Sequence, residues 1–169
     1  MLGRLYVGQE CSAARTLELV GERWSLLILR DAMFRDYTRF SQFQSSLGIA
    51  TNILAKRLDA FVEAGLMERR QLGASGEQGE YLLTERGLAL KPVIIALTDW
   101  GDTWLGVGPI IYESKSDGRR VEVQLRRVDD GAEVSLLDVV AQPRRARRLT
   151  RDRRGRRAIG RSRPASKRT

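Results

Sequence analysis

The sequence has no histidine, a single cysteine and no long apolar run. Without histidine, the Ser-His-Asp triad, the Cys-His nucleophile pair and the usual zinc ligand sets are excluded. The lone Cys11 cannot form a disulfide within the chain, which is typical of a reducing compartment. The N-terminus is too weakly apolar for a signal peptide, and the apolar runs are too short for a membrane span. We therefore expect a cytoplasmic protein that is not an enzyme, carries no cofactor or metal, and has no membrane partner.

The charge of the chain is unevenly distributed. There are 30 Lys+Arg and 21 Asp+Glu, a formal net charge of +9. Residues 142–169 hold 13 of the basic residues and one acidic residue, which leaves 17 basic and 20 acidic residues in 1–141. The net charge is therefore −3 over residues 1–141 and +12 over residues 142–169. The total charge alone does not indicate that the folded part binds nucleic acid. We predict a domain over 1–108, a small extension over 109–141 and a disordered, arginine-rich tail over 142–169.

The apolar spacing predicts four closely spaced helices between residues 11 and 66. Gly21, Gly48 and Gly65 stand where the first, third and fourth of these helices should end. Thr38 is the predicted N-cap of the third helix, and the fourth should begin near Thr51.

The periodicity changes after the fourth helix. Residues 66–72 and 80–84 predict two short strands, separated by the glycine-rich stretch 73–79. Thr84 predicts the start of a further helix that runs to about Leu105, with Pro92 marking a kink or a late start. Helices followed by a two-stranded hairpin make a mainly α fold with a small β-hairpin, the winged helix-turn-helix. Residues 110–113 and 121–125 are candidates for another β-hairpin in the extension.

The fourth helix has the pattern of a DNA-recognition helix. If its apolar side chains face the core, its polar side chains face outward and can enter the major groove. Asn52 has the donor-acceptor pair that matches adenine, and Lys56 can reach guanine or phosphate. The predicted DNA contacts in this region are Thr38, Arg39, Ser41, Gln42, Thr51, Asn52, Lys56 and Arg57. An ordinary solvated helix face would show the same spacing, so the residues alone leave both interpretations open.

Several stretches of residues 11–105 resemble the HxlR-type winged helix-turn-helix transcriptional regulators. They are LELVGERWSLLILRD at 17–31, RFSQF at 39–43, GIATNILAKRL at 48–58, EAGL at 63–66, YLLTERG at 81–87 and WG at 100–101. The resemblance implies a homodimeric regulator, expected to be a repressor, that dimerises through its terminal helices. Its implied partner is double-stranded DNA with a pseudo-palindromic operator sequence.

The chain departs from this family pattern in three places. Family members often carry prolines and a basic residue in the wing, whereas this wing has Glu77 and Glu80, so its affinity for DNA should depend on Arg69 and Arg70. The segment after Gly108 resembles a cysteine-rich metal ribbon of some relatives but contains no cysteine or histidine, so no metal is expected there. The arginine-rich tail is not part of the pattern.

Cys11 and the tryptophans allow more than one interpretation. Cys11 lies at the predicted start of the first helix, where backbone amides stabilise a thiolate. The resemblance extends to a subgroup in which a cysteine at this place senses oxidants, while the alternative is a small residue without chemistry. Trp24, Trp100 and Trp104 lie on apolar helix faces, which favours core or dimer packing over an aromatic ligand pocket. A small-molecule effector that binds between helices remains open.

The tail suggests a second class of function. Its arginines would bind DNA of any sequence by releasing counterions, could fold on RNA, or could have no function. The alternative to a sequence-specific regulator is therefore a nonspecific RNA-binding or nucleoid-associated protein that acts through its tail. A thiol redox enzyme is disfavoured, because one cysteine stands without histidine.

Overall fold

The computed structural model describes residues 6, 8, 9, 11–71 and 79–142. The predicted tail beyond Gln142 and most of the loop between the strands, including Glu77, lie outside these residues. The elements are α1 Ser12–Val20, α2 Ser25–Phe34, α3 Phe40–Leu47, α4 Thr51–Glu63, β1 Met67–Arg70, β2 Glu80–Leu83, α5 Glu85–Leu88, α6 Lys91–Trp104 and a 3₁₀ turn at Leu136–Asp138. Within the described ranges, no helix has both the length and the apolar character needed to cross a bilayer.

The ends of the helices confirm most of the predicted boundaries. Gly48 and Gly65 take left-handed conformations, with φ of 60° and 66°, directly after α3 and α4. The start of α3 differs from the prediction, because Arg39 and not Thr38 is its N-cap. The Gln42 side chain caps this end: its Oε1 accepts hydrogen bonds from the backbone amides of Thr38 at 3.0 Å and Arg39 at 2.8 Å.

The predicted hairpin is present and has a third partner. β1 and β2 are antiparallel, with Met67 opposite Leu83. The residues before α3 also pair with β2. The Tyr81 amide donates to the Thr38 carbonyl at 2.7 Å, and the backbones of Arg39 and Glu80 form an isolated antiparallel β-bridge. An isolated β-bridge is too short to show the alternation of apolar and polar residues that marks a strand, so the sequence did not predict it. The contact joins the start of α3 to the wing.

One core lies under α2, α3, α4 and the hairpin. Its fully buried side chains include Ile28 and Leu29 of α2, Phe43 of α3, and Leu54 and Leu58 of α4. Each helix therefore buries one apolar face at the expected spacing of three and four residues.

The helix predicted from Thr84 to Leu105 is two helices. Thr84 caps α5, its Oγ1 accepting from the Gly87 amide at 3.1 Å, and α6 then starts at Lys91 with Pro92 in its first turn. The late start predicted from Pro92 is confirmed. Gly87 packs against the Leu66 carbonyl so closely that a Cβ at this position would lie 2.1 Å from the Leu66 oxygen. Only glycine fits between α5 and the start of the hairpin.

The segment predicted as a separate extension divides at Gln124. Residues up to Gln124 form one compact unit, and a second begins at Leu125. Within the first unit, Tyr112 is buried beside α2 and α6: its ring lies 4.6 Å from that of Phe34, and its hydroxyl lies 3.1 Å from Thr98 Oγ1. Residues 109–124 are therefore part of the helical unit.

The hairpin predicted in the extension is reduced to a turn. The Val121 amide donates to the Tyr112 carbonyl at 2.8 Å, and the backbones of Glu113 and Arg120 form an isolated β-bridge. No strand forms within the described residues 109–142. The second unit has a comparable turn, in which Val134 donates to the Leu125 carbonyl at 2.9 Å.

Candidate nucleic-acid interface

The outward face of α4 is polar. Thr51, Asn52, Lys56 and Asp59 are exposed, while Leu54 on the opposite face is fully buried. This division follows from the helical period, as predicted. It leaves the first two turns of α4 available to enter a groove.

Asn52 and Lys56 lie one helical turn apart on this face. Asn52 is exposed, its Oδ1 accepts from the Ile53 amide at 2.9 Å, and its side-chain amide carries two N–H donors. Lys56 is exposed and is placed to contact a guanine edge or a phosphate beside it.

The residues at the start of α3 divide into two groups. Arg39 and Ser41 are exposed, and they stand at the N-terminal end of α3, where backbone amides can bind phosphate. Thr38 and Gln42 also have structural partners, because the Thr38 hydroxyl donates to Glu80 at 3.2 Å and Gln42 caps α3. The two helices are joined through Gln44, whose side-chain amide donates to Thr51 Oγ1 at 2.8 Å.

Arg57 is not where the sequence interpretation placed it. The residue is buried, with 6% of its surface exposed, and its Nη2 lies 3.4 Å from Glu22 Oε1. Its predicted place among the outward residues that contact DNA is wrong, because the side chain lies on the buried face of α4. Position 57 follows Leu54 by three residues and therefore belongs to the inward stripe, a signal that the sequence contained.

The wing is the hairpin of β1 and β2, and its two predicted DNA-contacting arginines face solvent. Arg69 and Arg70 are both exposed on β1, and the Arg69 guanidinium lies 5.7 Å from the centre of the Tyr81 ring. Glu80 lies opposite Arg70 in the hairpin, at the end next to the loop, and its carboxylate accepts from the Thr38 hydroxyl at 3.2 Å. Glu68 adds a second negative charge, since its carboxylate lies 3.9 Å from Arg70 Nη2.

A buried carboxylate that the sequence interpretation missed connects α2 to α3. Asp31 is fully buried and accepts from Arg30 Nη2 at 2.8 Å and from Ser46 Oγ at 2.7 Å. Arg35 completes the cluster, since its Nη1 donates to Ser46 Oγ at 2.8 Å. The signal in the sequence was the single acidic residue among the apolar residues of α2, because a buried acid needs partners. This cluster fixes α3, and through α3 it fixes α4.

A model of the HxlR-like helix-turn-helix family matches residues 19–109, from α1 to just beyond α6. The chain belongs to the HxlR-like helix-turn-helix family. The winged helix-turn-helix fold expected from the sequence is thereby confirmed, and the protein is an HTH-type transcriptional regulator.

Relatives of this HxlR protein are bacterial regulators. A Mycobacterium tuberculosis protein described only as an HTH-type transcriptional regulator is 39% identical over 135 residues, which span 78% of this chain and 85% of the relative. The solved structure of PA1607, a candidate transcription factor, is 38% identical with a TM-score of 0.70, covering 80% of this chain and 96% of that one. The redox regulator HypR in its oxidised form is 26% identical with a TM-score of 0.50, covering 55% of this chain and 96% of HypR.

Cys11 of this HxlR protein lies before the matched region. It is exposed and is the N-cap of α1, with its Sγ accepting from the Ala14 amide at 3.3 Å. The predicted position at the helix start is confirmed, while a sensing role remains a prediction.

The chain also exposes an apolar stripe along α6. The stripe consists of Val93, Leu97, Trp100 and Trp104, whose exposed fractions rise from 41% to 70%. Trp24, by contrast, is half-buried and packs on the core. Of the predicted core or dimer packing, core packing is confirmed for Trp24, whereas Trp100 and Trp104 lie outside the core and their dimer packing stays a prediction.

Proposed function

We propose that this HxlR-family regulator is a homodimeric, cytoplasmic repressor that binds a pseudo-palindromic operator through α4. The observation that carries the proposal is the outward face of α4, where Asn52 and Lys56 project from a helix anchored on α3. Arg39, Ser41, Arg69 and Arg70 are exposed on the neighbouring elements and are assigned to the DNA backbone. Thr38, Gln42 and Thr51 each make a hydrogen bond within the protein that helps to hold this surface in place.

The α6 stripe supports dimerisation. Its residues follow one another at intervals of four, three and four, which is the spacing of a coiled-coil seam. An exposed apolar stripe of this size marks a protein interface. A second copy of the chain is the proposed partner, because a helix-turn-helix protein needs two recognition helices to bind two half-sites.

Operator selection from random DNA, followed by footprinting, tests this function against the alternative. A repressor should protect one symmetric sequence, and the protection should persist when residues 143–169 are deleted. Loss of all binding on deletion would instead support a nonspecific RNA-binding or nucleoid-associated protein that acts through its tail.

Deleting residues 143–169 should also flatten the salt dependence of nonspecific DNA binding. The deleted segment carries 13 basic residues and one acid. Each phosphate contact contributes about 0.9 to the slope of log Kobs against log salt. Anisotropy titrations on an unrelated duplex between low and moderate salt would measure both slopes. Equal slopes would exclude the tail from DNA binding.

Oxidation of Cys11 is the proposed thiol response. Diamide in the presence of glutathione should attach a bulky group at Sγ, remove the cap from the Ala14 amide and disturb α1. We expect operator affinity to fall by about tenfold, within the usual range of allosteric coupling.

Cys11→Ser is the matched control for this experiment, since serine is a favoured N-cap that diamide does not modify. Gel-shift titrations with and without diamide would compare the two proteins. An equal response in both would exclude Cys11 as the sensor.

A further inference from the structure

A cavity of about 600 Å³ lies between the end of α2, the first half of α6 and residues 108–121. Met33 and Ile95 form its apolar wall, and the rings of Phe34 and Tyr112 lie 4.6 Å apart beside them. A volume of this size accommodates a small organic molecule, and an apolar wall with a few polar groups is typical of ligand sites.

The rim of the cavity is positively charged. Its charged residues are Arg30, Arg35, Lys91 and Lys115, against Asp36 and Glu113, and the buried Asp31 behind Arg30 and Arg35 leaves an excess of one positive charge. Lys91 Nζ lies 5.0 Å from the centre of the Phe34 ring, so one of these charges stands directly over the aromatic wall. An apolar wall below an excess of cations complements a molecule with an apolar body and an acidic group.

Two of the rim cations also belong to the buried cluster that joins α2 to α3. Arg30 donates to Asp31 from both Nε and Nη2, at 2.9 and 2.8 Å. Arg35 Nε lies 3.6 Å from Asp31, and its Nη1 donates to Ser46 of α3. Both side chains remain partly exposed, so each guanidinium has one edge in the cluster and another toward the cavity. The cavity and the anchor of the helix-turn-helix therefore share the same two groups.

We propose that this cavity binds an amphipathic organic anion, a carboxylate or sulfonate on an aromatic or aliphatic body, and that binding weakens the hold of the protein on DNA. The acidic group competes with Asp31 for Arg30 and Arg35. Asp31 then loses its compensating charge, the contact with Ser46 weakens, and α3 and α4 lose the fixed arrangement that operator binding needs. The effect on DNA rests on the proposed function, whereas occupancy of the cavity does not.

Occupancy is tested first, without DNA. The probe is the fluorescent anion 8-anilinonaphthalene-1-sulfonate, and the matched probe is N-phenyl-1-naphthylamine, which has the same rings without the sulfonate. The full chain should bind the sulfonate at least tenfold more tightly than the neutral amine. Lys91→Gln should weaken sulfonate binding about tenfold, while Arg119→Gln, which removes a charge outside the cavity rim, should leave it unchanged. Equal binding of the two dyes, or no effect of Lys91→Gln, would overturn the site.

The link to DNA is tested with the selected operator. Saturating sulfonate should lower operator affinity of the wild type by fivefold or more, within the usual range of allosteric coupling. Ser46→Ala removes the hydroxyl that joins Asp31 to α3, so this variant should still bind the dye but lose most of the effect on DNA. Unchanged operator affinity in the wild type would overturn the link. If the wild type bound no operator at all, the proposed function would fail, while the dye titrations would still decide the cavity.

Discussion

Replacing Asn52 and Lys56 together with alanine is expected to abolish specific operator binding. Each well-placed contact between a side chain and a base edge contributes about 1–3 kcal/mol of discrimination, so the double variant should lose about 100-fold or more in affinity. Both residues are exposed on α4, opposite its buried side chains, so the fold should not change. Anisotropy titration on the selected operator measures the loss.

Two further measurements make this result specific. Glu63→Ala alters another exposed residue of the same helix, at the end away from Asn52, and should bind the operator as the wild type does. Binding of the double variant to unrelated DNA should weaken far less, because the tail and the wing keep their arginines. Operator affinity that survives the double substitution would remove α4 from the interface.

Replacing Leu97 and Trp100 with glutamate is expected to convert the proposed dimer to a monomer. Both side chains lie in the α6 stripe, and at least half of each is exposed in the single chain. A second copy packed on this stripe would bury them, contributing about 1.5–3 kcal/mol for each large apolar side chain. Charges in their place would also repel across the symmetry axis, so the dimer should weaken by about 1,000-fold. Sedimentation velocity over a range of concentrations measures this change.

Operator binding should fall with the dimer, because a monomer contacts only one half-site. Val128→Glu is the matched control, since it places the same charge at a fully exposed apolar residue outside α6. Circular dichroism should show the same helix content in all three proteins. A double variant that still sediments as a dimer would place the interface on another surface.

The local pattern was sufficient to predict the helices and the hairpin. Leu54 and Leu58 recur at the helical period, and Gly48 and Gly65 stand at positions that need a left-handed conformation. These signals lie within a few residues of the element they specify, so a single sequence contains them. The same pattern divided the two faces of α4 and placed Asn52 and Lys56 outside.

The error at Arg57 was avoidable, because its spacing of three residues from Leu54 places it on the buried face of α4. The other omissions concern contacts between residues distant in the chain: Asp31, for example, is satisfied by Ser46 of the next helix. Tyr112 is buried beside Thr98, so a segment that seemed separate from the helices packs on them. Periodicity describes one element at a time and contains no information on such pairs. For the same reason, periodicity could not predict the charged rim of the cavity, whose residues come from three separate segments of the chain.

The close packing of Gly87 on Leu66 has a consequence for the choice of operator. Since no side chain fits there, the contact between Gly87 and Leu66 fixes the distance of α5 from the hairpin. It thereby also fixes the position at which α6 begins. In a dimer joined along α6, the two recognition helices would then be held at one separation. Each base pair inserted between half-sites rotates one of them by about 35° around the DNA axis. The protein should therefore distinguish operators by the length of their central spacer as well as by their bases.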